Sequence, residues 1–195
     1  MEFVFQIAIL IMSVVIHEVS HGYAASALGD ETARYQGRLT LNPLSHLDPM
    51  GSFIIPFLTY SFGGFILGWA RPVPYNPYNL RPGRFSEAMV ALAGPLSNIF
   101  IAIIFTLFLR AGVFPEVSAL IIFINIILAV FNLIPIPPLD GSKVLFALLP
   151  QRLSRVRTYL ERSGFIILLI FIFFLWQYLF PIVAAIFRFL TGLSL

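Results

Sequence analysis

The chain has 195 residues, of which 59% are hydrophobic and 11% are charged, and its formal net charge is +3. Soluble domains carry about 25% charged residues, so this composition indicates a polytopic membrane protein without a large soluble domain. The absence of cysteine excludes disulfides, thiolate metal ligands and a cysteine nucleophile. No segment is typical of a nucleic-acid-binding module.

The first apolar segment, predicted as a membrane helix over about residues 3–28, contains the motif His17-Glu18-x-x-His21. Histidines four residues apart lie on the same face of a helix, so both rings can reach one metal ion. Glu18 can act as a general base on a water molecule that the metal activates. Three ionisable side chains are costly to bury in lipid, which favours a functional site over a chance match.

Alternating residue types follow this helix over residues 33–42. A period of two predicts a strand, half of a small hairpin or sheet at the membrane surface, and the alternative is an irregular loop. The next segment is interrupted by prolines and contains His46, the third histidine of the chain. His46 is either a third metal ligand or, as its loop position favours, a residue that hydrogen-bonds near the site.

Further apolar segments predict the remaining membrane elements. We expect spanning helices over about residues 86–109, 117–133 and 164–190. Proline and glycine break the segment over 51–70, which therefore either spans weakly or re-enters. Small residues in the helix over 86–109 form a face that allows another helix to approach closely, and Asn98 lies on this helix, either packed between helices or at the site.

A proline-rich segment after the helix over 117–133 forms a second motif, Asn132-x-x-Pro-x-Pro-x-Leu-Asp140-Gly. Its three prolines unwind the chain before a new helical run begins. An aspartate in that position is normally an N-cap. Asp140 is also the best-placed anionic group in the apolar part of the chain, which makes it a candidate metal ligand.

The basic residues favour one orientation in the membrane. They fall mainly in three segments, with two in residues 33–42, three in 71–85 and five in 143–162. If 51–70 re-enters, all three segments share one side, whereas a spanning 51–70 places the first segment opposite the other two. The larger imbalance is typical of the cytoplasmic side. We therefore expect a re-entrant 51–70, an external N-terminus, and an active site towards the cytoplasm in the cell membrane.

Four motifs together resemble the site-2 protease family of intramembrane zinc metalloproteases, in a short form without a PDZ or CBS domain. They are HEVSH (17–21), GRLTLNPLSHLDPMG (37–51), AGPLSN (93–98) and NLIPIPPLDG (132–141). The resemblance implies one Zn²⁺ per chain, held by His17, His21 and Asp140, with Glu18 as the base. It also implies that Asn132 helps to bind substrate or the developing oxyanion, a role for which Asn98 and His46 are further candidates.

The resemblance also predicts the architecture. We expect a single integral-membrane protease domain over residues 1–195 that is all-α and polytopic, with a three-helix core and a C-terminal helix. A strand over 33–42 would present its edge, at Arg38, Leu39 and Thr40, to an unwound substrate.

The implied activity is cleavage of a single-span membrane protein within or near the bilayer, as in regulated intramembrane proteolysis. The alternative is a non-enzymatic metal-binding membrane protein for transport or scaffolding. A single metal site without a second ionisable relay gives only weak support for transport. Serine and aspartyl intramembrane proteases fit less well, because no G-x-S-x-G motif occurs and Asp140 has no second aspartate within the apolar segments. The sequence makes no prediction of the oligomeric state.

Overall fold

The computed structural model describes residues 2–54, 57, 61 and 70–193, and the described part of the chain is mostly helical. Four of its helical segments, Phe5–Ala27, Ser86–Arg110, Pro115–Asn132 and Ser154–Leu175, are long and apolar enough to cross a membrane. The protein is therefore a multi-pass membrane protein, as its composition predicts. The α-helices of the described residues are α1 (Glu2–Ala27), α2 (Thr32–Tyr35), α3 (Ser86–Arg110), α4 (Pro115–Asn132), α5 (Asp140–Leu148), α6 (Ser154–Ile170) and α7 (Phe180–Thr191).

Helices α1, α3 and α4 pack against one another and form the centre of the bundle. Helices α3 and α4 are joined by a tight turn in which Gly112 adopts a positive φ, and Pro115 begins α4 where its missing N–H costs nothing. The short helix α7 packs on α4 through Val183 and Phe187, at a cluster that includes Ile122 and Ala102. The ends of the three central helices that lie away from this cluster carry the polar motifs.

The predicted strand over 33–42 is wrong. Residues Thr32–Tyr35 form a single helical turn, and no β-strand or hairpin occurs in the parts of the chain that the structure describes. The alternation does not separate a buried from a solvent face, because Tyr35 is 86% exposed while Arg38 is 8% exposed. The backbone turns instead at Gly37, which has a φ of +63°, and the Arg38 N–H donates to the Ala33 carbonyl.

The predicted C-terminal helix over 164–190 is broken in the structure. Helix α6 begins earlier, at Ser154, and continues through a π-turn at Phe171–Leu175 before a 3₁₀ turn at Trp176–Tyr178. Pro181 lies in the first turn of α7, where it cannot donate to the preceding turn and therefore ends the helix before it. The predicted re-entrant segment 51–70 lies largely outside the described residues.

Loop segments pack against the C-terminal end of α1 through buried hydrogen bonds. Asp30, which has no exposed surface, accepts hydrogen bonds from the backbone and side chain of Thr32, from Asn76 N–H and from the Asn79 side chain. Arg81 N–H donates to the Leu28 carbonyl at 2.7 Å. These contacts fasten the proline-rich segment 70–85 to the end of α1.

Replacement of Asp30 by Asn should destabilise the protein at neutral pH by about 1–3 kcal/mol, because the amide cannot accept all of these bonds. Burial alone raises the pKa of Asp30, but the bonds from Thr32, Asn76 and Asn79 outweigh it and hold this pKa below its ordinary value. The stabilisation is therefore complete above the ordinary aspartate pKa of about 3.9 and is lost as the pH falls through the lower folded value.

Thermal unfolding in detergent, measured for wild type and Asp30→Asn between pH 7 and pH 3, checks this expectation. The difference between the two proteins should shrink below about pH 4. Glu116→Gln, which alters an exposed carboxylate, serves as the control. A difference that persists unchanged at pH 3 contradicts the role of the Asp30 carboxylate.

Candidate metal centre

Helix α1 presents His17 and His21 on one face, one turn apart, and both rings are buried. Their Nε2 atoms are 3.0 Å apart, and the rings meet edge to face with centroids separated by 4.7 Å. The first motif of the sequence therefore places two imidazole nitrogens at a single point inside the bundle.

Asp140 reaches the same point from the opposite side. It is the first residue of α5, and its Oδ2 lies 3.2 Å from His17 Nε2 and 3.3 Å from His21 Nε2. The backbone of the preceding proline segment makes tight turns, with Ile136 N–H donating to the Ile134 carbonyl and Leu139 N–H to the Ile136 carbonyl. These turns bring the Asp140 carboxylate to the two histidines directly after the end of α4.

Helix α3 holds the outer side of both imidazole rings. His17 Nδ1 lies 2.6 Å from Asn98 Oδ1, and His21 Nδ1 lies 2.8 Å from the Val90 carbonyl oxygen. Both partners are oxygen acceptors, so each ring in its neutral form carries its proton on Nδ1 and presents Nε2 as the lone pair. The two Nε2 lone pairs and the Asp140 carboxylate therefore face one another.

Glu18 lies beside this group on the wall of a cavity of about 240 Å³. It is half-buried, and its Oε2 accepts a hydrogen bond of 2.9 Å from the Val73 N–H in the segment 70–85. That segment also supplies Tyr75, whose pKa is raised above its ordinary value by burial and then by the nearby Glu87 and Asp140 carboxylates. The cavity is lined by His17, Glu18, His21, Pro72, Val73, Tyr75, Val90, Ala91, Asn132, Pro138, Asp140 and Lys143.

The structure separates the three candidates for substrate or oxyanion contact. Asn132 lines the cavity, and its side-chain amide donates to the Leu128 carbonyl at 2.9 Å. Asn98 has no exposed surface and contacts His17 from behind. His46 is also buried, outside the cluster of metal-ligating atoms, with its Nε2 2.9 Å from the Thr40 carbonyl oxygen.

The three residues predicted at a substrate edge serve other contacts in the structure. Arg38 donates from Nη2 to the carbonyls of Arg71 and Pro72, at 2.8 and 3.2 Å. A side-chain atom of Leu39 lies close to Gly22 of α1, and the Thr40 carbonyl lies against His46. The Arg38 bonds therefore join the segment 37–46 to the segment 70–85, and the Leu39 contact joins it to α1.

Sequence reasoning missed several residues around the site. Ser13 lies one turn before His17 on the same face of α1, a spacing that would have identified it. Asn125, a polar residue within the apolar helix α4, contacts both Ser13 and Asn98. Val73 and Lys143 carry no local signal, because the fold alone brings their segments to the cavity.

Known proteins resemble this chain over most of its length. The Bacillus subtilis protein named "Putative zinc metalloprotease YwhC" is 40% identical over 174 residues, covering 83% of this chain and 76% of the relative. The Mycolicibacterium smegmatis protein named "Putative zinc metalloprotease Rip2" is 32% identical over 174 residues, covering 86% of this chain and 66% of the relative.

The profile of Peptidase family M50 matches residues 109–174. No solved structure gives a significant match. The relatives are named for zinc, and the cluster of His17, His21 and Asp140 provides a nitrogen and oxygen donor set that suits this ion. The chain belongs to Peptidase family M50, the site-2 proteases, a family of membrane zinc metalloproteases.

Proposed function

We propose that this protein is an intramembrane zinc endopeptidase that hydrolyses a peptide bond of a single-span membrane protein, as in regulated intramembrane proteolysis. His17, His21 and Asp140 hold the zinc, and Glu18 is the general base. The convergence of three metal-ligating donor atoms beside a half-buried glutamate carries the proposal. The site belongs to the membrane helix α1, which suits a substrate that is itself embedded in the bilayer.

The spacing of the donor atoms fits zinc. A tetrahedral ion with bonds of about 2.0–2.1 Å holds neighbouring ligand atoms about 3.3 Å apart. The observed separations among His17 Nε2, His21 Nε2 and Asp140 Oδ2 are 3.0, 3.2 and 3.3 Å. Oδ2 of Asp140 is also buried without a hydrogen-bond partner, a costly arrangement that a cation relieves.

Gly94 leaves the room that the donor atoms need. Val90, Gly94 and Asn98 recur at every fourth position and lie on the face of α3 that contacts the two histidines. A Cβ atom at Gly94 would lie 2.5 Å from His21 Nε2 and 2.6 Å from His17 Nε2. Glycine is therefore required for α3 to pass directly over the cluster.

Zinc bound at this cluster supplies Lewis-acid chemistry, which polarises the scissile carbonyl and makes water more acidic. Glu18 removes a proton from the water that attacks the carbonyl carbon. It then delivers this proton to the amide nitrogen as the C–N bond breaks, so the products are a carboxylate and an amine. The Val73 N–H keeps one Glu18 oxygen in place. Asn132, on the cavity wall, is suited to bind the substrate backbone or the developing oxyanion.

Contacts among the basic segments support an orientation with the site towards the cytoplasm of a cell membrane. Arg38 bonds to the segment that begins at Arg71, and Arg84 donates to the carbonyls of Ala147 and Leu148 at 2.6 and 2.9 Å. The three segments that carry ten of the twelve basic residues therefore meet at one end of the bundle. Such an excess of Lys and Arg favours the cytoplasmic side.

Replacement of Gly94 by Ala should expel zinc while preserving the fold. Alanine is the better helix former by about 1 kcal/mol, but its methyl group collides with both imidazole rings. We expect zinc affinity to fall by on the order of tenfold or more, as measured by competition with a chelator.

Ala93→Gly is the matched control for Gly94→Ala, because it weakens the same helix and leaves the cluster untouched. This variant should melt at a lower temperature and retain zinc. Zinc retention by Gly94→Ala with unchanged affinity contradicts the proposed location of the ion.

Replacement of Glu18 by Gln should reduce cleavage of a single-span substrate in detergent by about 10²–10⁴-fold, the usual contribution of a general base. The same protein should retain its zinc. Asp140→Asn should instead release zinc, because it weakens a ligand. Wild-type rates and zinc content are measured beside both variants.

Substantial cleavage by Glu18→Gln contradicts the assigned base. Zinc retention by Asp140→Asn contradicts the assigned ligand. If the wild type binds zinc, cleaves no membrane substrate and moves zinc across proteoliposomes, the transport alternative replaces the protease.

The orientation is tested with single cysteines, since the chain has none of its own. Cysteines at Tyr35, Tyr78 and Tyr159, all well exposed at the basic end, should react with an impermeant thiol reagent only after the membrane is opened. A cysteine at the exposed Glu116, at the opposite end, should react in intact cells. Labelling of Tyr35→Cys and Glu116→Cys from the same side refutes the orientation.

A further inference from the structure

A chain of buried hydrogen bonds joins α1, α3 and α4 behind the metal cluster. Asn98 and Asn125 have no exposed surface, and Ser13 is 4% exposed. Asn98 Nδ2 donates to Asn125 Oδ1 at 2.8 Å, and Asn98 Oδ1 lies 2.6 Å from His17 Nδ1. We call Ser13, Asn98 and Asn125 the amide relay.

Every side-chain N–H of the two asparagines has an acceptor within the relay or on the backbone of α4. Asn125 Nδ2 donates to the Ile121 carbonyl at 2.9 Å and to Ser13 Oγ at 3.0 Å. The second N–H of Asn98 points to the Ser13 carbonyl at 3.4 Å. Because each amide has two donor hydrogens, both groups are saturated as donors.

The backbone carbonyl of Ile121 determines which way each side-chain amide of the relay is turned. A carbonyl oxygen can only accept, so the Ile121 carbonyl requires Asn125 to turn its nitrogen towards it and its oxygen towards Asn98. Asn98 must then turn its own nitrogen to Asn125 and its oxygen to His17. An oxygen acceptor at Nδ1 requires a proton on that atom, so the neutral His17 ring presents its lone pair on Nε2.

We propose that the amide relay fixes His17 in the tautomer that can bind zinc through Nε2. The proposal rests on the proposed assignment of His17 as a zinc ligand. His21 needs no such device, because its Nδ1 faces the Val90 backbone carbonyl directly. His17 faces the side-chain amide of Asn98, which can turn either its oxygen or its nitrogen towards the ring unless other hydrogen bonds fix its orientation.

The alternative orientation of Asn98 shows what the relay prevents. If Asn98 turned its nitrogen to His17, Nδ1 would have to accept a hydrogen bond and the ring proton would move to Nε2. A protonated Nε2 has no lone pair for a metal. In the same orientation the Asn98 oxygen would face Asn125 Oδ1 and the Ser13 carbonyl, which are both acceptors.

The test is the rate at which the full-length protein in detergent releases zinc to a chelator. Asn125→Leu keeps the approximate volume but removes Asn125 Oδ1, the nearer of the two acceptors that orient the Asn98 amide, and leaves the Ser13 carbonyl at 3.4 Å. We expect zinc release about 10–100-fold faster than in wild type, the usual effect of losing an outer-shell partner. Circular dichroism and the melting temperature establish that each variant is folded.

Two further variants separate tautomer control from simple packing. Asn98→Asp combined with Asn125→Leu should restore slow release, because a carboxylate offers only acceptor oxygens to Nδ1 and has no wrong orientation. Thr106→Val removes a buried hydroxyl that donates to the Ala102 carbonyl in the same helix as Asn98, outside the relay. It should leave zinc release unchanged.

Folded Asn125→Leu with wild-type zinc release overturns the relay, as does a double variant that releases zinc as fast as Asn125→Leu alone. A wild type that binds no zinc overturns the proposed site and the relay together, and this result is independent of any substrate. If Asn125→Leu does not fold, histidine-labelled wild type decides. The chain has only three histidines, and nitrogen chemical shifts of the metal-free protein should show His17 protonated on Nδ1. A neutral ring with its proton on Nε2 and none on Nδ1 overturns the proposal.

Discussion

Three potential metal ligands, His17 Nε2, His21 Nε2 and Asp140 Oδ2, lie 3.0, 3.2 and 3.3 Å from one another, and this cluster imposes the main constraint on the structure. Such a group is costly in an apolar bundle unless a cation occupies its centre. The surrounding elements each meet one part of this requirement. Helix α1 provides two nitrogens, the first residue of α5 provides an oxygen, and α3 provides acceptors that keep both imidazoles in the required tautomer. The packing of α1, α3 and α5 therefore also sets the positions of the proposed zinc ligands.

Glycines make this geometry attainable, because helices in lipid associate through close packing more than through hydrophobic burial. A Cβ atom at Gly141 would lie 2.2 Å from the Leu133 carbonyl oxygen, and one at Gly164 would lie 2.5 Å from the Pro137 carbonyl oxygen. Residues 133–138, which precede Asp140, thus lie in close contact with the first turn of α5 and with the side of α6. Prolines fix its backbone and glycines allow its neighbours to close on it, so the third donor is rigidly presented.

The sequence predicts the parts of this protein that depend on local spacing. The i, i+4 histidines, the apolar helices and the Pro-x-Pro-x-Leu-Asp segment are visible as patterns, and the structure brings His17, His21 and Asp140 together. The strand over 33–42 failed because alternation describes burial only when a partner strand exists, and this segment wraps around the end of α1 instead. The roles of Val73 and Asn125 depend on contacts between residues 55 and 27 positions apart, which no local pattern encodes.

The hydrogen bond from the Val73 N–H to Glu18 has a mechanical consequence. One side of the cavity is a loop backbone, and that backbone is hydrogen-bonded to Glu18, the proposed general base. Any movement that lifts Val73 away to widen the entrance also breaks this bond, at a cost of about 1.5–3 kcal/mol for a bond to a charged group. A wider entrance to the cavity therefore goes with a Glu18 carboxylate that is held less firmly in place. With Val73 moved away, Glu18 has no hydrogen bond from this backbone N–H, and the bond forms again only when Val73 returns.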